Sequence, residues 1–146
     1  MSISLTFTGS AGSTYTPPGS AALYGAMVYN AAGNGIRPTP DNFSQLIDAI
    51  SAETTGYAEA IIDFTGVSAG AEAGLCFIDG TRSGFSLIIT SSSLVLRKEV
   101  SGSAGPTITS LSTTNSGSAT YRLSITLATG AVVVTKDSVQ VLTGTY

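Results

Sequence analysis

Residues 121–142, YRLSITLATGAVVVTKDSVQVL, contain three apolar stretches separated by two short turns. From Tyr121 to Leu127 every second residue is apolar, which is the period of a β-strand with one buried face. Glycine and aspartate tolerate the backbone conformations of tight turns. The two turns read Thr129-Gly130 and Lys136-Asp137-Ser138. The stretch therefore predicts three consecutive antiparallel strands.

The same two-residue period occurs upstream of this stretch. It runs through residues 57–64, and residues 85–100 show it on both sides of Ser91-Ser92-Ser93, which indicates a hairpin. Turns at such short spacing are typical of a β-sandwich or barrel. No segment has the length and composition of an interdomain linker. The sequence predicts an all-β antiparallel sandwich formed by one domain, residues 1–146.

One segment departs from the strand period. Phe43, Leu46, Ile47 and Ile50 recur at helical spacing. A threonine-proline pair just before them supplies a cap and a first helical residue, and a glycine follows a plausible end. The pattern predicts one short helix from about Pro40 to Glu53.

Composition excludes several classes of function. Charged residues are 10% of the chain and the net charge is −3, whereas soluble domains usually carry about 25% charged residues. Nucleic-acid binding needs a basic stripe, and the only adjacent basic pair is Arg97-Lys98. We therefore expect no nucleic-acid partner. No apolar run approaches the roughly 18 residues of a membrane-spanning helix, so no membrane partner is expected either.

The missing residue types limit the chemistry further. The chain has no histidine, which excludes a Ser-His-Asp triad and an imidazole metal ligand. The single Cys76 excludes an internal disulfide and a multi-thiolate zinc site, and its apolar surroundings indicate a buried thiol. The N-terminus shows no signal-peptide pattern, so synthesis in a cytoplasm is the expectation.

Asp63 and Asp79 are the best acid–base candidates, each at the end of a predicted strand. Nothing in their spacing brings the two carboxyl groups together as a glycosidase pair. We interpret both as turn or surface carboxylates. Calcium is an open alternative, because loop carbonyls can supply ligands, but no Asp-x-Asp-x-Asp-Gly loop occurs. We predict no catalytic residue, no metal and no cofactor.

Sugar binding by stacking would need exposed aromatic rings. The chain has no tryptophan but six tyrosines and five phenylalanines. Tyr15, beside Pro17-Pro18, and Tyr57 are the candidates for exposed rings and weak glycan contacts, whereas Tyr121 lies on the apolar face of its strand and is expected in the core.

Residues 57–142 resemble the concanavalin A-like, laminin-G-like jelly-roll sandwiches. The matching segments are Tyr57 to Phe64, Ala73 to Asp79, the hairpin Gly84 to Glu99, Tyr121 to Ile125, Gly130, Val132 to Val134, Asp137, Val139 and Val141. Ser138 stands where the family's hairpin has glycine. The resemblance covers a little over half of the chain and implies a jelly-roll fold. The family includes lectins, glucanases and phage virion domains, but none of its catalytic, metal or sugar ligands has a matching position here.

The low charge suggests how such a chain is used. Charge opposes self-association, and short Ser, Thr, Gly and Ala side chains lose little rotamer entropy at an interface. We expect a non-enzymatic structural protein of a phage virion, assembled in the host cytoplasm. It would act as a capsid decoration or tail subunit that contacts copies of itself and other virion proteins. The alternative is a carbohydrate-binding, lectin-like module for host glycans.

Overall fold

The computed structural model describes residues 7–16, 22–24, 27–29, 36–38, 45–47, 55–66 and 70–146. These residues form strands, turns and loops, and none of them forms a helix that could cross a membrane. The chain divides into two compact units, Met1–Ala52 and Glu53–Tyr146. The single domain over residues 1–146 stays a prediction.

The first unit contains short antiparallel strand pairs. Strand β1 (Ala22–Tyr24) pairs with β4 (Gln45–Ile47), and β2 (Met27–Tyr29) pairs with β3 (Ile36–Pro38). The Tyr15 N–H donates to the Met27 carbonyl at 2.8 Å, which joins the segment before β1 to this unit.

The helix predicted from about Pro40 to Glu53 is wrong at Gln45–Ile47, which is extended strand β4. The rest of that segment lies outside the described residues. Leu46 lies opposite Leu23 in the ladder with β1, so pairing with a distant segment determines the local conformation. A spacing of four apolar residues reports only local periodicity, and tertiary pairing overrides such local preferences.

Eight strands of the second unit form two antiparallel sheets of four. The front sheet has the order β12-β11-β10-β5 and the back sheet the order β6-β7-β8-β9. The strands are β5 (Thr55–Asp63), β6 (Glu72–Ile78), β7 (Gly84–Thr90), β8 (Ser93–Val100), β9 (Ser103–Ser112), β10 (Ser118–Thr126), β11 (Ala131–Lys136) and β12 (Val139–Thr145).

One hydrophobic core joins the two sheets. Alternate residues of β7, β8, β10 and β11 point inward, and the largest fully buried ones are Leu87, Ile89, Leu94, Leu96, Tyr121, Leu123, Val132 and Val134. Gly144 on β12 allows close packing, because a Cβ there would lie 2.9 Å from Ile108 Cγ2. For the residues that the structure describes, the all-β antiparallel architecture is therefore confirmed, and the two sheets pack as a sandwich with Tyr121 in its core.

The turn between β11 and β12 has an unusual backbone. Asp137 and Ser138 both have positive φ, 49° and 67°, as the favoured two-residue hairpin turns require. The Asp137 carboxylate accepts a hydrogen bond from the Thr120 N–H at 2.8 Å, and the Asp137 N–H donates to the Thr120 carbonyl at 2.8 Å. Asp137 thus stabilises the turn through its hydrogen bonds with Thr120, whereas Ser138 contributes only the steric cost of a positive φ.

We expect Ser138→Gly to stabilise the protein by about 1 kcal/mol, because glycine adopts positive φ without the steric cost of a Cβ. Urea denaturation of the variant and the wild type measures the change. Asp137→Gly is the matched control and should destabilise, because it removes the carboxylate bonded to Thr120. Equal or lower stability of Ser138→Gly would contradict the prediction.

Candidate functional site

The outer face of the front sheet carries two exposed apolar side chains on β5. Tyr57 is 57% exposed and Ile61 is 74% exposed. Alternation along the strand turns Ala58 and Ala60 toward β10 residues of the core and leaves Tyr57, Glu59 and Ile61 outside. Within the described residues β5 pairs only with β10, so these side chains lie at an edge of the sheet.

A charged pair lies between the two apolar side chains. Arg122 on β10 is opposite Glu59, and its Nε donates to Glu59 Oε2 at 2.7 Å. The guanidinium carbon lies 4.3 Å from the centre of the Tyr57 ring, within cation–π distance. The hydrogen bond with Glu59 is the main cause that raises the pKa of Arg122. Both side chains are largely exposed to solvent, so the pair contributes little to stability.

We call Tyr57, Glu59, Ile61 and Arg122 the Tyr57 patch. Its two charges neutralise each other, so it presents aromatic and aliphatic surface without net charge. Apart from Asp63 at the end of β5, the neighbouring outward positions of the front sheet are almost all small and uncharged. They are Ser118, Thr120, Ser124, Thr126, Ala131, Val133, Thr135, Gln140, Thr143 and Thr145. Such a surface can be covered with little loss of side-chain entropy.

The two tyrosines proposed from the sequence differ in their surroundings. Tyr57 presents an open ring, one side of which is covered by Arg122. Tyr15 is 3% exposed and packs edge-to-face on Phe7, with ring centres 5.5 Å apart. The expectation of an exposed ring is thus wrong for Tyr15. Glycan contact stays a prediction. Of the two tyrosines, Tyr57 is the one whose ring is accessible to a sugar.

The carboxylates of Asp63 and Asp79 organise turns. Asp63 Oδ1 accepts from the Thr65 N–H at 2.8 Å. Asp79 Oδ1 accepts from the Thr81 hydroxyl at 2.7 Å, the Thr81 N–H at 2.8 Å and the Ser83 N–H at 3.0 Å. Hydrogen bonds from the two threonines are the main cause that lowers the pKa of each carboxyl group. Their geometry is that of loop-stabilising groups.

The lowered pKa of Asp79 gives stability a pH dependence. At acidic pH the folded state binds fewer protons than the unfolded state. The ionised Asp79 carboxylate therefore contributes its full stabilisation above the unfolded pKa of about 3.9. This stabilisation is lost as the pH falls through the folded pKa. We expect Asp79→Asn to reduce the loss of stability below about pH 4, because asparagine does not titrate. Urea midpoints measured from neutral to acidic pH test this, and parallel curves for variant and wild type would contradict it.

A buried polar cluster connects the two sheets. Asn115, in the segment between β9 and β10, is 3% exposed. Its Nδ2 donates to the carbonyls of Thr90 at 2.8 Å and Ser93 at 3.3 Å. Its Oδ1 accepts from the Tyr121 hydroxyl at 2.9 Å and from Lys136 Nζ at 3.0 Å. We call these five residues the Asn115 cluster.

Sequence reasoning missed the Asn115 cluster. Asn115 belongs to the run Thr-Thr-Asn-Ser-Gly, which has the composition of an ordinary loop. The available signal was Tyr121, because a buried tyrosine hydroxyl usually finds a hydrogen-bond partner. Nothing local identifies Asn115 as that partner.

A second polar cluster lies on the outer face of the back sheet. The Ser86 hydroxyl donates to Glu99, and Arg97 Nε donates to Glu99 Oε1 at 3.0 Å. Cys76 lies opposite Ser86 in the neighbouring strand and is half-buried, less covered than expected for a core thiol. Among the described residues no three His, Cys, Asp or Glu side chains come together as metal ligands.

Comparisons with protein-family models, curated proteins and solved structures give no match.

Proposed function

We propose that this protein is a non-enzymatic structural subunit of a phage particle, a capsid decoration or a tail accessory protein that acts through protein–protein contacts. The Tyr57 patch is the observation that supports the proposal most directly. Tyr57 and Ile61 offer apolar surface, and the only charges between them, on Glu59 and Arg122, already neutralise each other.

Interface physics favours a protein partner for this patch. The centre of a typical interface is depleted in unpaired charge and enriched in aromatic residues and arginine, and a polar rim surrounds it. The Tyr57 patch has an aromatic ring, an arginine held in place and an aliphatic side chain. The serines and threonines of the front sheet provide the rim. Such a surface is suited to contacts with copies of the same chain and with other virion proteins. The patch has no feature that favours binding of nucleic acid or a membrane.

We propose in addition that the second unit is a jelly-roll sandwich of the concanavalin A-like kind. Two observations support this. The unit coincides closely with residues 57–142, which carry the resemblance. Strands distant in sequence are neighbours in the front sheet, since β5 pairs with β10 after the chain has passed through the back sheet.

The test is association of the purified protein with itself and with capsid or tail particles, measured by sedimentation. We expect Ile61→Lys to weaken this association by about tenfold or more, because it places an unpaired charge in the centre of the contact. Val139→Lys is the matched control, because Val139 is 65% exposed and is the first residue of β12. A wild-type protein that stays monomeric and binds no particle would overturn the proposal.

The alternative is a carbohydrate-binding module, supported by the exposed ring of Tyr57. In that case a sugar would stack on the side of the ring opposite Arg122. Glycan-array binding that disappears in Tyr57→Ala and persists in Tyr15→Phe would favour this alternative over the structural role.

A further inference from the structure

The Asn115 cluster places an amine next to a buried carboxamide. Lys136 Nζ lies 3.0 Å from Asn115 Oδ1, which places the amine beside the carboxamide carbon bonded to that oxygen. Such proximity of two groups favours reaction between them. We propose that Lys136 and Asn115 form an intramolecular isopeptide bond that joins β11 to the segment before β10. The bond would be a covalent modification of the sandwich and is independent of the proposed function.

The surrounding hydrogen bonds determine the orientation of the carboxamide. The carbonyls of Thr90 and Ser93 can only accept, so Nδ2 must face them and Oδ1 must face Lys136. In this orientation the Tyr121 hydroxyl donates to Oδ1 at 2.9 Å. It would therefore stabilise the negative charge that develops on this oxygen during attack at Cγ.

The reaction balances without a further reactant. The lysine amine first loses its extra proton to solvent, and the neutral Nζ attacks Asn115 Cγ. The new Nζ–Cγ bond forms, the Cγ–Nδ2 bond breaks, and a proton passes from Nζ to Nδ2, which leaves as ammonia. An amine and a primary amide thus become a secondary amide and ammonia, with no change of oxidation state.

The remaining members of the cluster fit this step. Nδ2 already bonds to two carbonyl oxygens, which would also accept from the departing ammonia. Burial is the main cause that raises the pKa of Tyr121, with a smaller effect from Asp137. The phenol therefore stays protonated and remains a donor. Lys136 Nζ also lies 5.7 Å from the centre of the Tyr121 ring, which keeps the amine beside the carboxamide.

The decisive measurement is the intact mass of the denatured full-length protein. We expect a mass about 17 Da below the value calculated from the sequence, which corresponds to the loss of one ammonia molecule. After tryptic digestion, a peptide containing Asn115 should remain linked to one containing Lys136. Because the mass is measured on the wild-type chain, the result does not depend on whether a variant folds.

Variants then assign the bond to its two residues. Lys136→Arg and Asn115→Ala should each have the mass calculated from their sequences. Lys98→Arg, a matched control on β8, should keep the deficit. A wild-type mass equal to the calculated value, or a deficit that persists in Lys136→Arg, would overturn the proposal.

Discussion

Replacing Asn115 with alanine is expected to lower the free energy of unfolding by about 3 kcal/mol, because buried polar groups would lose their hydrogen-bond partner. The Tyr121 hydroxyl loses its acceptor, and the carbonyls of Thr90 and Ser93 lose their donor. Equilibrium urea denaturation measures the change. The comparison is made in a Lys136→Arg background, where the proposed cross-link cannot form and only the non-covalent interactions are lost.

Thr114→Ala is the control for this measurement. Thr114 is the exposed neighbour of Asn115 in the same segment, and surface substitutions usually change stability by no more than about 0.5 kcal/mol. If Asn115→Ala cost no more than Thr114→Ala, the cluster would have no role in holding the two sheets together.

Gly84→Ala is expected to be the most damaging single change, with a loss of about 4 kcal/mol or more, or failure to fold. Gly84 begins β7 opposite Ile78 and has a φ of 156°. A Cβ at this position would collide with the carbonyl oxygen of Phe77, a backbone atom that cannot move away without disturbing the β6–β7 ladder. Soluble yield and urea denaturation measure the effect.

Gly80→Ala provides the comparison for Gly84→Ala. Gly80 lies in the turn before β7, and a Cβ there would meet no atom within 4 Å. We expect its stability to stay within about 1 kcal/mol of the wild type. A Gly84→Ala protein as stable as Gly80→Ala would show that the start of β7 tolerates a side chain.

Most strands between Tyr57 and Leu142 were predictable because one face of each is buried, most clearly in β7, β8, β10 and β11. Strand β9 was not predicted, and none of its residues is fully buried. One-sided burial produces the two-residue period in the sequence, and the turns at Gly130 and Ser138 separate the strands clearly. The apolar spacing around Leu46 gave the wrong answer, because a distant segment, β1, determines its conformation. Local periodicity carries no information about such pairing.

The site residues likewise divide into those that a local sequence pattern predicts and those that depend on contacts distant in sequence. Exposure of Tyr57 follows from its outward position in an alternating strand. Tyr15 lies in a segment without periodicity, and its burial depends on the Phe7 ring, which no local pattern indicates. The role of Asn115 requires three-dimensional proximity of four partners from different parts of the chain. Sequence reasoning identifies Tyr121 as buried but cannot identify what its hydroxyl contacts.

The pairing of β5 with β10 also affects the order of folding. Asp63 lies opposite Ser118, so β5 must wait for a partner made much later in synthesis, while the β6-β7-β8-β9 meander can form from local contacts. Contacts distant in sequence form slowly, and apolar surface left open meanwhile favours aggregation. The nascent chain therefore passes through a stage in which Leu87 and Leu96 have no opposing sheet. Chaperone demand should peak then, before the ribosome has released residues 118–126.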